Sequence, residues 1–324
     1  MKIRRILSLD GGGIKGVFPA AFLANIEEQI EAPIGKYFDL IVGTSTGGIL
    51  ALGLGLGYSA KELLKFYEDL GPKVFTSSLP MKLLRRLGFP KYSPAPLRRA
   101  LANKFGKRKL GESSTRLMIP SMNMDSGEVH VFKTAHHPRL ERDYKESVVE
   151  VAMATAAAPT YFPPHMSSSG IPFIDGGMWA NSPVGFAVVE AIGVLGWERT
   201  TLEVLSLGCT ATPFNQQLSW SLGSGELFWA RKTSHTFMSG QESGSIGIAK
   251  LLAGEEHIHR YNPIVAGGKF SLDGIKGIPT LKGFGSSEAR KALPKIKPLF
   301  FAEPTEPFSP FHRLPVKNST EDKA

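Results

Sequence analysis

A chain of 324 residues that is 42% hydrophobic and 21% charged has the composition of a folded protein with a core to bury, which excludes a disordered or low-complexity chain. Its single cysteine, Cys209, excludes an intrachain disulfide and fits a reducing compartment. The net charge of +9 is unevenly spread: residues 73–109 hold eleven Lys or Arg and no acid, against 27 basic and 29 acidic residues elsewhere, so the excess lies in one anion-attracting segment.

Residues 3–9 read as a buried strand, followed by a glycine loop over 10–16. Apolar positions at helical spacing predict a helix over 18–30. A second strand over 37–42 turns sharply at 43–47, and a helix follows over 48–56. That alternation is α/β organisation with a largely parallel sheet. A helix over 60–70 precedes the basic segment, which Pro80, Pro90, Pro94 and Pro96 break into short pieces. Residues 116–122 and 128–133 read as paired strands about a turn at 125–127. An alanine-rich helix over 147–157 is stopped by Pro159. A short strand over 172–174 leads to Asp175, then a helix over 183–195 and a strand over 202–207 ending near Cys209, read as a small buried residue. Past Ala211 the pattern weakens: 220–253 has room for two helices, and 304–324, with four prolines, reads as a loosely held tail. Residues 1–5 are basic, but the apolar run after them is too short for a secretory signal; 41–57, with six glycines, is a poor membrane span. Any membrane contact is therefore expected to be peripheral.

Three glycine motifs carry the chemistry. Gly43-Thr44-Ser45-Thr46-Gly47 has the form Gly-x-Ser-x-Gly between a strand and a helix, the context in which an elbow turn exposes a serine hydroxyl at a helix's positive end. The plainer reading is a glycine turn packing a helix on a sheet. Asp10-Gly11-Gly12-Gly13-Ile14-Lys15-Gly16 offers several backbone N–H groups to one point, which suits an oxyanion or a phosphate. The phosphate-loop and dinucleotide patterns are absent. Lys15 either adds charge near the site or is merely solvated. Asp175-Gly176-Gly177 ends a short strand and places a carboxylate where it could take a serine proton, although a turn aspartate is common in such a place.

These motifs, in this order, resemble the patatin-like phospholipase family, and residues 154–163 resemble that family's segment before its catalytic aspartate. The likeness spans residues 3 to 209. It implies a three-layer α/β/α fold with a central, mostly parallel sheet, and hydrolysis of membrane phospholipid esters by a Ser–Asp dyad without histidine. Ser45 is then the nucleophile, Asp175 the base, and the amides of Gly11, Gly12, Gly13 and Thr46 the oxyanion donors. Lys15 stands where many members carry Arg, which keeps the charge but loses any bidentate contact. Thr134-Ala135-His136-His137-Pro138-Arg139, Trp179-Ala180-Asn181-Ser182-Pro183 and Ser206-Leu207-Gly208-Cys209 resemble bacterial patatin-like effectors of cyclic-oligonucleotide antiphage systems. That likeness implies a cytoplasmic enzyme acting at the inner face of the membrane, activated by cyclic GMP-AMP. On it, the basic segment, with Phe89, Tyr92 and Phe105 among its cations, and the C-terminal region would hold the nucleotide by ion pairing and stacking.

The organisation expected is a catalytic core over 1–210, a regulatory C-terminal part over 211–303 packed on it, and the tail. Two other readings stay open. One is a Ser-His-Asp hydrolase, because His235, His257, His259 and His312 all follow Asp175. The other is a nucleotide-sensing or lipid-binding module whose ester site is idle. No cofactor is implied: His257-x-His259 lacks further ligands nearby, and no oxygen-rich calcium loop is present. A homo-oligomer is open; no nucleic-acid motif accompanies the basic patch.

Overall fold

The computed structural model describes residues 2–75, 89–213 and 226–315, with the side chains of 226–235 excepted. Among these residues one mixed sheet contains β1 (Arg4–Leu9), β2 (Leu40–Gly43), β3 (Arg116–Asn123), β4 (Val129–Lys133), β5 (His165–Met166), β6 (Pro172–Asp175), β7 (Leu202–Leu207) and β8 (Ile258–Tyr261). The helices are α1 (Val17–Glu27), α2 (Thr46–Gly55), α3 (Ala60–Val74), α4 (Ala95–Phe105), α5 (Val148–Thr155), α6 (Gly177–Ala180), α7 (Val184–Gly193), α8 (Glu226–Ala253) and α9 (Ile278–Phe300).

The strands lie in the order β5-β6-β3-β2-β1-β7-β8, with β4 also paired to β3. The pairings β3-β2, β2-β1, β1-β7 and β7-β8 are parallel; β4 and β6 run antiparallel to β3, and β5 to β6. The central strands read as near-continuous apolar runs because both faces of the sheet are covered. Alternate residues point to opposite layers. Ile6, Leu40, Val42, Leu202 and Val204 pack in one cluster with residues of α7 and α8. Leu7, Leu9, Ile41, Leu205 and Leu207 pack in the other with residues of α1, α2, α3, α4, α5 and α9. The fold is thus the expected three-layer α/β/α sandwich.

Four features depart from the sequence reading. Residues 226–253 form one helix, α8, where two were expected; residues 214–225 lie outside the described part. Helix α9 was not foreseen, because glycines and the internal Pro294 and Pro298 lower its helix propensity. Tertiary packing overrides that propensity: Leu281, Gly285, Ala289, Ala292, Ile296 and Phe300 form a buried stripe at helical spacing against α1. Strand β8 was hidden by its polar residues His259 and Arg260, which find carboxylate partners inside the protein. Residues 304–315, read as a loose tail, are hydrogen-bonded to the body: Thr305 N–H donates to Lys36 O at 2.8 Å, and Phe311 N–H to Ala135 O at 2.8 Å.

The basic segment is less bare in space than in sequence. Lys82, Arg85 and Arg86 lie outside the described residues. Of the others, Lys91 pairs with Asp273, Arg98 with Glu150, Lys104 with Glu62 and Arg108 with Glu112. The idea that Tyr92 and Phe105 stack on a nucleotide is overturned: both rings are buried in the core, and Phe89 alone of the three is exposed.

Phe300 is fully buried and packs against Phe38, His259 and Phe301 at ring-centroid distances of 5.3 to 6.1 Å. Phe300→Ala is expected to destabilise the protein by about 3–5 kcal/mol, the usual cost of such a cavity, as measured by denaturant unfolding of the full chain.

Candidate active site

The parallel register of β1 and β2 sets Leu9 beside Gly43, so the glycine loop and the elbow leave the sheet at neighbouring C-terminal strand ends. Clefts at such ends are where open α/β sheets carry their sites. The elbow is tight: a Cβ on Gly43 would meet the Gly47 carbonyl oxygen at 2.2 Å, so no side chain fits there. Ser45 sits at φ 54° and ψ −120°, a left-handed conformation that L-residues rarely adopt. Such strain persists only where neighbours over-determine it. Here Ser45 N–H donates to Thr155 Oγ1 at 2.9 Å, and Thr155 Oγ1 donates to Pro120 O at 2.6 Å. Thr44 Oγ1 donates to Ala180 O at 2.6 Å, and Tyr67 OH to Thr46 O at 2.6 Å. Ser45 is the N-cap of α2, so the open first-turn amides and the positive helix end stand beside its hydroxyl.

Asp175 ends β6 and is paired through that strand to Ser121 of β3. Its Oδ1 accepts from Gly177 N–H at 2.7 Å, and the Ser45 hydroxyl lies close enough to favour its charged form. Burial pushes the carboxyl up from 3.8 to about 6, against the downward pull of those two groups. The hydroxyl and the carboxylate expected to meet line one and the same cavity.

The glycine loop lies directly against the serine. A Cβ on Gly11 would stand 2.6 Å from Asn181 Oδ1 and 3.3 Å from Ser45 Cβ. The Gly11 amide, expected as an oxyanion donor, is already engaged: it donates to Asn181 O at 2.9 Å. Gly12, Gly13 and Thr46 line the cavity with Ser45, and their amides remain as the candidate donors. Asp10 is buried behind the loop. Gly16 lies against the Thr46 side chain, and Gly176 against Pro120 O. Lys15 is absent from the cavity wall; its Nζ reaches Thr210 O at 3.4 Å. Cys209, expected buried, is so; its thiol, pushed up to about 12 by burial, faces Asp10 O at 3.4 Å.

A cavity of about 590 Å³ opens from Ser45 and Asp175, within the size range of small-ligand sites. Away from these residues its wall is apolar, with Ile49 of α2, Leu70 and Val74 of α3, Leu97 of α4, and Phe75 and Phe162. Met178 both lines it and is 42% exposed, which marks the mouth. Among the described residues no histidine lines the cavity. His257 and His259 both bond Glu203, whose register partner is Arg5, toward the N-terminal end of β1. His312 faces Pro138 O, and the side chain of His235 lies outside the described residues.

Three supporting residues were not singled out from the sequence. Thr155 and Asn181 lie within segments that carried the family likeness, but nothing in them announced a role. Tyr67 reads as an ordinary apolar-face residue of α3; its hydroxyl contact with Thr46 exists only in three dimensions.

Comparison with known proteins gives the family. The family model for patatin-like phospholipases matches residues 7–188. The chain is 34% identical to a cGAMP-activated phospholipase of Pseudomonas aeruginosa, over 98% of this chain and 97% of that protein. It is 40% identical to cGAMP-activated phospholipases of Escherichia coli, over 57% of this chain and 55% of that protein, and of Vibrio cholerae, over 55% of each. These last two matches span about half the length of the proteins concerned.

Because the folded-state value of Asp175 is raised, its contribution to stability is present below about pH 4 and is lost as pH climbs through about 6. Asp175→Asn keeps the shape without the charge. At about pH 8 the variant is expected to be more stable than the wild type by up to about 3 kcal/mol, at ~1.4 kcal/mol per pH unit. Below about pH 4 the gap should close, which denaturant unfolding at both values checks.

Proposed function

Because this chain belongs to the patatin-like phospholipase family, we propose that it is a phospholipase A that releases fatty acids from membrane phospholipids through Ser45 and Asp175. The observation that carries this reading is the juxtaposition: a strained serine and a buried carboxylate line the same end of one apolar cavity. Asp175 takes the proton as Ser45 Oγ attacks the ester carbonyl. The Gly12, Gly13 and Thr46 amides stabilise the oxyanion, which is the largest single contribution in such reactions. The tetrahedral adduct collapses and the leaving alcohol takes the proton back from Asp175. Water, deprotonated by the same carboxylate, then attacks acyl-Ser45 and frees the fatty acid. The apolar wall suits the acyl chain, and the polar end of the cavity coincides with the reacting atoms.

An aspartate is ordinarily a weak base for an alcohol; a carboxyl raised to about 6 is a better one and is still ionised at neutral pH. The Ser-His-Asp alternative has no histidine on the cavity wall among the described residues to support it. Among the described residues, no helix is long and apolar enough to cross a membrane, and we assign the enzyme to peripheral action at the inner face of the membrane. Similarity along nearly the full length to an enzyme named as cGAMP-activated supports activation by cyclic GMP-AMP, in a role in antiphage defence.

Fatty-acid release from phospholipid vesicles, with and without cyclic GMP-AMP, tests both parts of this reading. Wild type should release fatty acid, more rapidly with the nucleotide, and Ser45→Ala should release none while melting normally; full activity in that variant would remove the assignment. The kcat/KM profile should have an acid limb near pH 6, falling about tenfold per pH unit below it. A fluorophosphonate should label Ser45, and absence of labelling would favour an idle site.

A further inference from the structure

A cluster of charge, buried at Asp10 and partly buried at Arg260 and Glu242, stands behind the oxyanion loop and takes no part in the chemistry above. Its centre is Arg260 of β8. Arg260 Nη2 donates to Asp10 Oδ2 at 2.6 Å and pairs also with Glu242 of α8, while Nη1 donates to Ser206 Oγ of β7 at 2.7 Å. Glu242 accepts in addition from Asn262 Nδ2 at 3.0 Å. Burial holds the Asp10 carboxyl above its ordinary value although Arg260 pulls it down; burial works against the guanidinium too, and there the two carboxylates outweigh it.

Asp10 is the residue immediately before Gly11. A run of three glycines has no side chains with which to hold its own position, so neighbours must impose it. The loop's contacts include Asp10 N–H to Leu207 O at 3.0 Å, the Cys209 thiol to Asp10 O, the Asp10 carboxylate to Arg260, Gly11 N–H to Asn181 O, and Ile14 N–H to Leu272 O at 2.8 Å. Oxyanion donors work only when aimed at the place where charge develops, so a shift of a few tenths of an ångström in this loop matters to rate and little to folding. Helix α8 bears on the same region through adjacent residues. Gln241 Nε2 donates to Met178 O at 2.7 Å, and Ser245 Oγ donates to Ser182 O at 2.6 Å.

We propose that Arg260 is a positioning residue for the Gly12 and Gly13 amides, acting through Asp10, and that Glu242 ties that position to α8. This rests on the reading of Ser45 as an ester-cleaving nucleophile. The guanidinium touches neither substrate nor reacting atoms; it sets where the donors point.

The test is hydrolysis of p-nitrophenyl butyrate by the full-length protein, with and without cyclic GMP-AMP, alongside thermal melting. Asp10→Asn is the first variant, because Arg260 keeps Glu242 and Ser206 and no charge is stranded in the interior. Its kcat should fall about 100-fold, the cost of misplacing a catalytic group by roughly 1 Å, with KM nearly unchanged. Arg260→Lys keeps the charge but not the fork that spans Asp10 and Ser206, and should lose kcat in the same way. The double variant should be no slower than the slower single one, since both break one contact. A folded Asp10→Asn protein with wild-type kcat, a rise in KM alone, or losses that multiply in the double variant overturns the positioning role. A wild type that neither cleaves the ester nor reacts at Ser45 with a fluorophosphonate overturns the underlying reading with it.

Discussion

A hydroxyl and a carboxylate, far apart in sequence, are brought to one end of the same cavity: those of Ser45 and Asp175. Nearly every unusual feature of this molecule bears on that juxtaposition. The sheet brings the two together, since β2 ends two residues before the serine and β6 at the aspartate, with β3 paired to both strands. Thr155 bridges the same gap from α5, accepting from the Ser45 amide and donating to Pro120 of β3. The elbow is held against relaxing into an ordinary conformation by side chains of two other elements on its backbone, Thr155 and Tyr67, and by its own Thr44 on Ala180 O.

The site carries costs that the rest of the fold offsets. A positive φ at a serine is worth about 1–3 kcal/mol of strain, and a buried carboxylate with few donors resists ionisation. Asp10 adds a second buried acid, which Arg260 pairs with through one oxygen only. A large double core stabilises the whole against these, with α1 buried on almost every side between the sheet, α3 and α9. The arrangement follows a general pattern in which stability yields locally to function.

The C-terminal region is more than an addition to the catalytic part. β8 extends the sheet, α9 covers α1, and Arg260 and α8 reach the loops around the nucleophile. Helix α8 touches this region at two places, through Glu242 to Arg260 and through Gln241 to Met178 O.

The three glycine motifs were legible in the sequence because their chemistry is local: a Gly-x-Ser-x-Gly between a strand and a helix, and a carboxylate after a short strand, are fixed by neighbouring residues. The layers were legible too, since alternation and helical spacing depend only on which face a residue turns inward. What the sequence alone left undecided depends on partners far along the chain. Whether Gly11 keeps its amide free was settled by the carbonyl of Asn181. Whether the basic segment is bare was settled in part by Asp273 and Glu150, and whether Tyr92 is available by the core that encloses it. Helix α9 exists because α1 offers a surface for its small-residue stripe, against the propensity of its own prolines. Local stereochemistry travels with the residues that encode it, whereas desolvation, ion pairing and hydrogen-bond occupancy come into being only when distant segments close on one another.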